Sequence, residues 1–163
     1  MAKVYVIPLG AIAMTASLIL DLTALRLPWG VIYDPVTQSN LEVLLPYAEG
    51  NLKAVYVLMM AGMLLALLSA FLNVRDYRGS FIGSSLAMIS ATSSASSITL
   101  FVLLSWGLLR FTETGIHAAL ISMIIKLLGA VFMKAPLGAI VVEVVKPYRR
   151  HRYQITISYS LIG

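Results

Sequence analysis

Cysteine is absent from the 163 residues, which excludes disulfides, thiolate metal sites, iron–sulfur ligation and cysteine nucleophiles together. Charge is scarce too: Asp, Glu, Lys and Arg make up 12%, half of the roughly 25% usual in soluble domains. Histidine occurs only at His117 and His151, and neither stands in a zinc-ligand spacing. A phosphate-cradling glycine loop and a Ser-His-Asp set are also missing. Serines are plentiful, yet they lack a nearby general base to activate them. The chain is therefore expected not to be an enzyme by itself and to use no cofactor or metal, and its residues identify no soluble substrate. Asn and Gln are scarce as well, limited to Gln38, Asn40, Asn51, Asn73 and Gln154. Such scarcity suits a hot-living source or a membrane protein.

What is present is apolar. Hydrophobic residues make up 60% and the mean hydropathy is +0.90. Four runs are long enough to cross a hydrocarbon core of about 30 Å, which needs roughly 20 helical residues. They cover about 4–25, 54–72, 83–109 and 116–135. The expected fold class is an all-α integral membrane protein, a four-transmembrane-helix bundle in a single domain. The first run exceeds the usual 7–15 residues of a signal-peptide core, so it reads as a retained span. Pro136 predicts a kink after the fourth span, with a bent helical continuation beyond it.

The net charge of +5 is not arranged as a nucleic-acid-binding face. Basic residues gather at the ends of the apolar runs and in "KPYRRHRY" at 146–153. With the N-terminus inside, Lys3, Arg75, Arg78, Lys146, Arg149, Arg150 and Arg152 fall on one side. Arg26, Lys53 and Arg110 fall on the other. Seven against three predicts both termini in the cytoplasm and a location in a prokaryotic cell (plasma) membrane. Lys134, Lys146, Arg149, Arg150 and Arg152 are then expected to meet lipid headgroups. On this topology His117 and His151 lie on opposite sides and cannot share a haem.

The outer loop, 26–53, holds Trp29, Tyr33 and Tyr47, suited to the headgroup level. Leu41, Leu44 and Leu45 lie at helical spacing and predict a short surface helix over 39–50. The basic tail, 146–163, ends in "YQITISYSLIG", which alternates as a strand does. No other segment of the sequence reads as a strong strand, so this one is expected either to pair with another subunit or to lie loose.

Two features inside the spans invite a function. Asp21 and Lys126 place opposite charges in the same half of the membrane, and charge at that depth is costly and often functional. Asp21 is read as near the outer end of its span. Lys126 has three candidate partners: Asp21, another subunit, or a lipid or cofactor anion. The second feature is "SSLAMISATSSASSITL" at 84–100. On a helix, Gly83, Ala87, Ser90, Ser94 and Ser97 form one narrow stripe, while Thr92, Ser96 and Thr99 form a second opposite it. Small residues let helix backbones approach closely, and hydroxyls can bond to carbonyls of their own helix. Two such stripes predict packing neighbours on two sides.

The leading expectation is a non-catalytic accessory or structural subunit of a larger membrane complex, with a respiratory or electron-transfer complex as one possible host. Its partners would be membrane lipids, other membrane subunits or copies of itself. The rivals are an oligomeric channel or small-solute transporter, and a membrane-embedded structural protein of a filament, virion or envelope.

Overall fold

Prolines set the limits of the first helix, and a serine caps the third. Pro8, extended at φ −71° and ψ 145°, precedes helix α1, Leu9–Arg26. Its fixed φ and missing N–H suit a helix start. The chain then turns extended at Leu27, whose N–H closes on Thr23 O, and Pro28 cannot resume the helix. Helix α2 covers Lys53–Arg75, α3 Phe81–Leu104 and α4 Thr114–Lys134. Ser80 caps α3 by accepting the Gly83 N–H at 2.9 Å. The computed structural model describes residues 2–34, 36–76, 80–106, 109–134, 139–145 and 154–160.

The four helices are long and apolar enough to cross a membrane. They form an antiparallel ring in which α1 packs on α4 and α2, and α3 on α2 and α4. Large apolar side chains point outward: Ile19, Leu64, Leu68, Phe71, Ile89 and Ile124 are all more than half exposed. Serines point inward, with Ser17, Ser69, Ser90, Ser94, Ser97 and Ser122 fully buried. Water would disfavour such a surface; lipid suits it.

Short strands continue the helices at both ends. They are β1 Ala2–Pro8, β2 Gly30–Asp34, β3 Ser39–Val43, β4 Leu109–Thr112, β5 Ala139–Val145 and β6 Gln154–Ser160. The chain therefore reads β-α-β-β, then a helix hairpin, then β-α-β-β. Two antiparallel sheets result, with strand orders β1-β5-β6 and β3-β2-β4. Each sheet joins the first strand of one β-α-β-β unit to the hairpin of the other.

Several expectations change here. The four-helix bundle is observed, and the two sheets are added to it. The span expected at 4–25 is helical only from Leu9, because residues before Pro8 pair as β1. The surface helix expected over 39–50 is instead β3 followed by two 3-10 turns, Leu45–Tyr47 and Gly50–Leu52. Pairing with β2 overrides the leucine spacing there. The bent continuation of α4 is strand β5, and the tail strand finds its partner in β5 of the same chain. Trp29, expected at headgroup level, is fully buried; its Nε1 donates to Ala24 O at 2.9 Å and its ring meets Phe101 edge-on at 5.5 Å. Tyr47 does lie open, at 82% exposure.

A buried polar layer as candidate functional site

One register recurs in all four helices. A glycine is followed seven residues later by a serine and four residues after that by a polar residue. The sets are Gly10, Ser17, Asp21 on α1; Gly62, Ser69, Asn73 on α2; Gly83, Ser90, Ser94 on α3; and Gly115, Ser122, Lys126 on α4. All twelve residues are buried. Positions i, i+7 and i+11 lie within about 20° of one line along a helix at 100° per residue, so one face of each helix carries the whole set.

The contacts exchange in pairs. Ser69 Oγ donates to Gly83 O at 2.7 Å, and Ser90 Oγ donates to Gly62 O at 2.7 Å. Swapping α2 with α3 turns one bond into the other. Across α1 and α4, an added methyl at Gly10 would meet Met133, and one at Gly115 would meet Pro28. Swapping those two helices relates these contacts as well. Because the partners run antiparallel, the exchange is an approximate two-fold axis lying across the bundle. The β-α-β-β units are thus an inverted repeat.

Where α1 and α4 face each other near that axis, Asp21 and Lys126 meet. Lys126 Nζ lies 2.6 Å from Asp21 Oδ2 and donates to Ser94 Oγ at 2.6 Å. Both charged side chains are 0% exposed. Helix side chains tilt towards their N-terminus, so Lys126 leans back along α4 to the level of Asp21. Asp21 is also nearer the bundle middle than the sequence implies, since α1 begins only at Leu9. One turn away, Ser122 sits beside the Asp21 carboxylate and donates to Ser17 O at 2.9 Å. Asp21 Oδ1 and Asn73 Oδ1 have no hydrogen-bond partner among the described residues.

This layer divides two apolar clusters. Ala24, Trp29, Val55, Met59, Phe101 and Ile116 belong to one; Met14, Ala66, Ala70, Ala87, Ala130 and Met133 form the other. Chemically, the layer can clamp helices, hold a proton at a carboxylate, or bind an ion if the helices part.

Other residues singled out from sequence fall elsewhere. Gly83, Ala87, Ser90, Ser94 and Ser97 face the bundle interior and are buried. Thr92, Ser96 and Thr99 face outward, and Thr92 Oγ1 returns its bond to Met88 O at 2.9 Å. Lys134 ends α4 exposed. His117 is exposed, with Nδ1 2.9 Å from Glu113 O. His151, Lys146, Arg149, Arg150 and Arg152 lie outside the described residues. Among the described residues, no three His, Asp or Glu converge to hold a metal. Ser17, Ser69, Asn73 and Ser122 are not singled out by sequence reasoning, although the Gly–Ser–polar register is their signal.

Comparison with protein-family models, curated proteins and solved structures gives no match.

Proposed function

We propose that the chain is a non-catalytic structural subunit of a larger membrane assembly, seated in a prokaryotic plasma membrane with both termini cytoplasmic. The observation that carries this reading is the unused small face of α3. Its inner stripe is consumed in packing on α2 and α4. Its outer stripe lines an open groove of about 400 Å³ formed by Thr92, Ala95, Ser96 and Thr99 with Leu58 and Leu103. The exchange axis supplies an internal control: Thr92 and Ala95 match Phe71 and Val74 on α2, both bulky and more than half exposed, while Ser96 matches Arg75, the last residue of α2. A face built only for lipid would resemble the α2 face. Small residues fit a helix that comes close.

Purification in gentle detergent, followed by native mass spectrometry, tests the proposal. Partner subunits should accompany the wild type and be lost in Ser96→Trp and in Thr92→Trp, while Phe71→Trp, at the counterpart of Thr92, should keep them. A chain that purifies alone, unaffected by either change, overturns the reading.

A second reading is favoured by the inverted repeat itself. Transporters built from such repeats place their sites at mid-membrane between the repeats, which is where Asp21 and Lys126 meet. Solute or proton flux in liposomes that disappears in Lys126→Met, with the fold retained, would establish transport instead.

A further inference from the structure

Each three-stranded sheet has two edges, and an unguarded edge is a template for another strand. The four edge strands differ in how they are protected. β1 contains Lys3 and closes with Pro8; β3 contains Glu42; β4 contains Arg110, is only four residues long and pairs with a register shift. Charge, proline, shortness and irregular pairing are the devices that keep edges from joining. β6, Gln154–Ser160, has none of them. Its seven residues, "QITISYS", are uncharged, alternating and rich in β-formers. Its counterpart in the inverted repeat is the charged β3, so the two hairpins have diverged at this edge. β6 is also the strand across the sheet from β1, which is the strand that packs on α1 and α2. Residues 156–158 are exposed, Ile157 at 69%.

We infer that β6 pairs antiparallel with β6 of a second copy, joining two sheets into one of six strands. A neutral strand meets its own copy without opposing like charges. Antiparallel pairing also continues the Thr156–Ser158 face into the same face of the copy. The direction follows from the basic run at 146–152 that precedes β6. Parallel pairing would set two such runs side by side. Antiparallel pairing separates them by the strand length, about 20 Å at 3.3 Å per residue, beyond a Debye length of about 8 Å. The inference rests on the reading that the chain works within an assembly, and adds that one of its partners is itself.

The absence of native cysteine makes the test direct. Strands centred on Ile157 place opposed Cα atoms about 4.5–5.5 Å apart, within disulfide reach of about 4.4–6.8 Å. Ile157→Cys should oxidise in native membranes to a dimer containing only this chain. Leu41→Cys, on the guarded β3 edge, should stay monomeric. Adding Ser158→Lys to Ile157→Cys should cut the dimer yield at least about tenfold, and helical content measured alongside shows that the bundle is intact. A mixed disulfide with a different polypeptide overturns self-pairing, as does no cross-link at all. If Ile157→Cys fails while Ser96→Trp still strips partner subunits, edge pairing alone is wrong. If both fail, the assembly reading falls with it.

Discussion

The α1–α4 seam and the α2–α3 seam use the same register with a different slide. Across α2 and α3, each glycine faces the serine seven positions into its neighbour, and a hydroxyl bonds a carbonyl. Across α1 and α4, Gly10 faces Met133 instead, and Asp21 faces Lys126. The difference is about three helical turns, or roughly 16 Å at 1.5 Å per residue. A residue that meets a different position of the repeat can be identical in both halves. A residue that meets its own counterpart near the axis cannot carry the same charge, because the two would repel in a low-dielectric interior. A charged pair can therefore form at this position only by breaking the two-fold, and Asp against Lys is how it breaks.

The largest effects should come from that broken position. Removing one member of a buried pair leaves an uncompensated charge and costs about 3–5 kcal/mol. Asp21→Asn or Lys126→Met should each lower stability by that amount in a denaturation series in mixed micelles. The exchange Asp21→Lys with Lys126→Asp should regain most of it. In the swapped chain the lysine stands on α1 and the aspartate on α4. The residue that then corresponds to Ser94 is Asn73, whose Oδ1 is a buried acceptor with no present partner among the described residues. Failure of the swap would break the claimed equivalence. Replacing both by apolar residues, Asp21→Leu with Lys126→Met, should be close to neutral, as for other buried pairs. A stable double variant that loses partner subunits or transport would give the pair a role beyond holding α1 to α4.

A middling effect is expected at the glycines of the charged seam, and the two should differ. A methyl at Gly115 would lie 2.7 Å from Pro28 O and 2.8 Å from Leu27 O, which are backbone atoms. A methyl at Gly10 would lie 2.6 Å from Met133 Cγ and 2.9 Å from Asn73 Oδ1, which belong to buried side chains, with the nearest backbone atom, Gly129 O, farther off at 3.3 Å. Overpacking costs about 1–3 kcal/mol, while Ala gains about 1 kcal/mol over Gly in a helix. Both changes should therefore destabilise, Gly115→Ala more than Gly10→Ala, because backbone atoms yield less than side chains. Equal losses would show that the two ends of this seam are packed alike after all.

The sequence makes the spans legible because apolar length decides them, and the inner stripe of α3 because helical spacing does. Opposite signs also make Asp21 a candidate partner for Lys126. Strands at the helix ends are hidden for a physical reason. "AKVYVIP" and "AIVVEVV" are apolar runs adjoining apolar helices, where periodicity alone cannot separate strand from span. Only the clean alternation of "QITISYS" betrays a strand, and its partner lies inside one of those hidden runs. The Gly–Ser–polar register is visible in principle. It escapes a search for tandem repeats because its four copies are short and unequally spaced along the chain.

The smallest effects should fall on the uncharged seam and test whether its two bonds are true equivalents. Ser69 and Ser90 each bury a hydroxyl against a glycine carbonyl at the same 2.7 Å. Interhelical hydrogen bonds of this kind average about 0.6 kcal/mol in membrane bundles. Ser69→Ala and Ser90→Ala should each cost about that much, and the double variant about twice it, since the two bonds share no atom. One difference separates them: the Ser69 hydroxyl also lies 3.3 Å from Met133 Sδ, whereas Ser90 has only the carbonyl. Met133→Leu should therefore narrow any gap between the two serine variants. If the gap widens, the thioether is not what distinguishes them, and the symmetry of this seam is looser than its bond lengths imply.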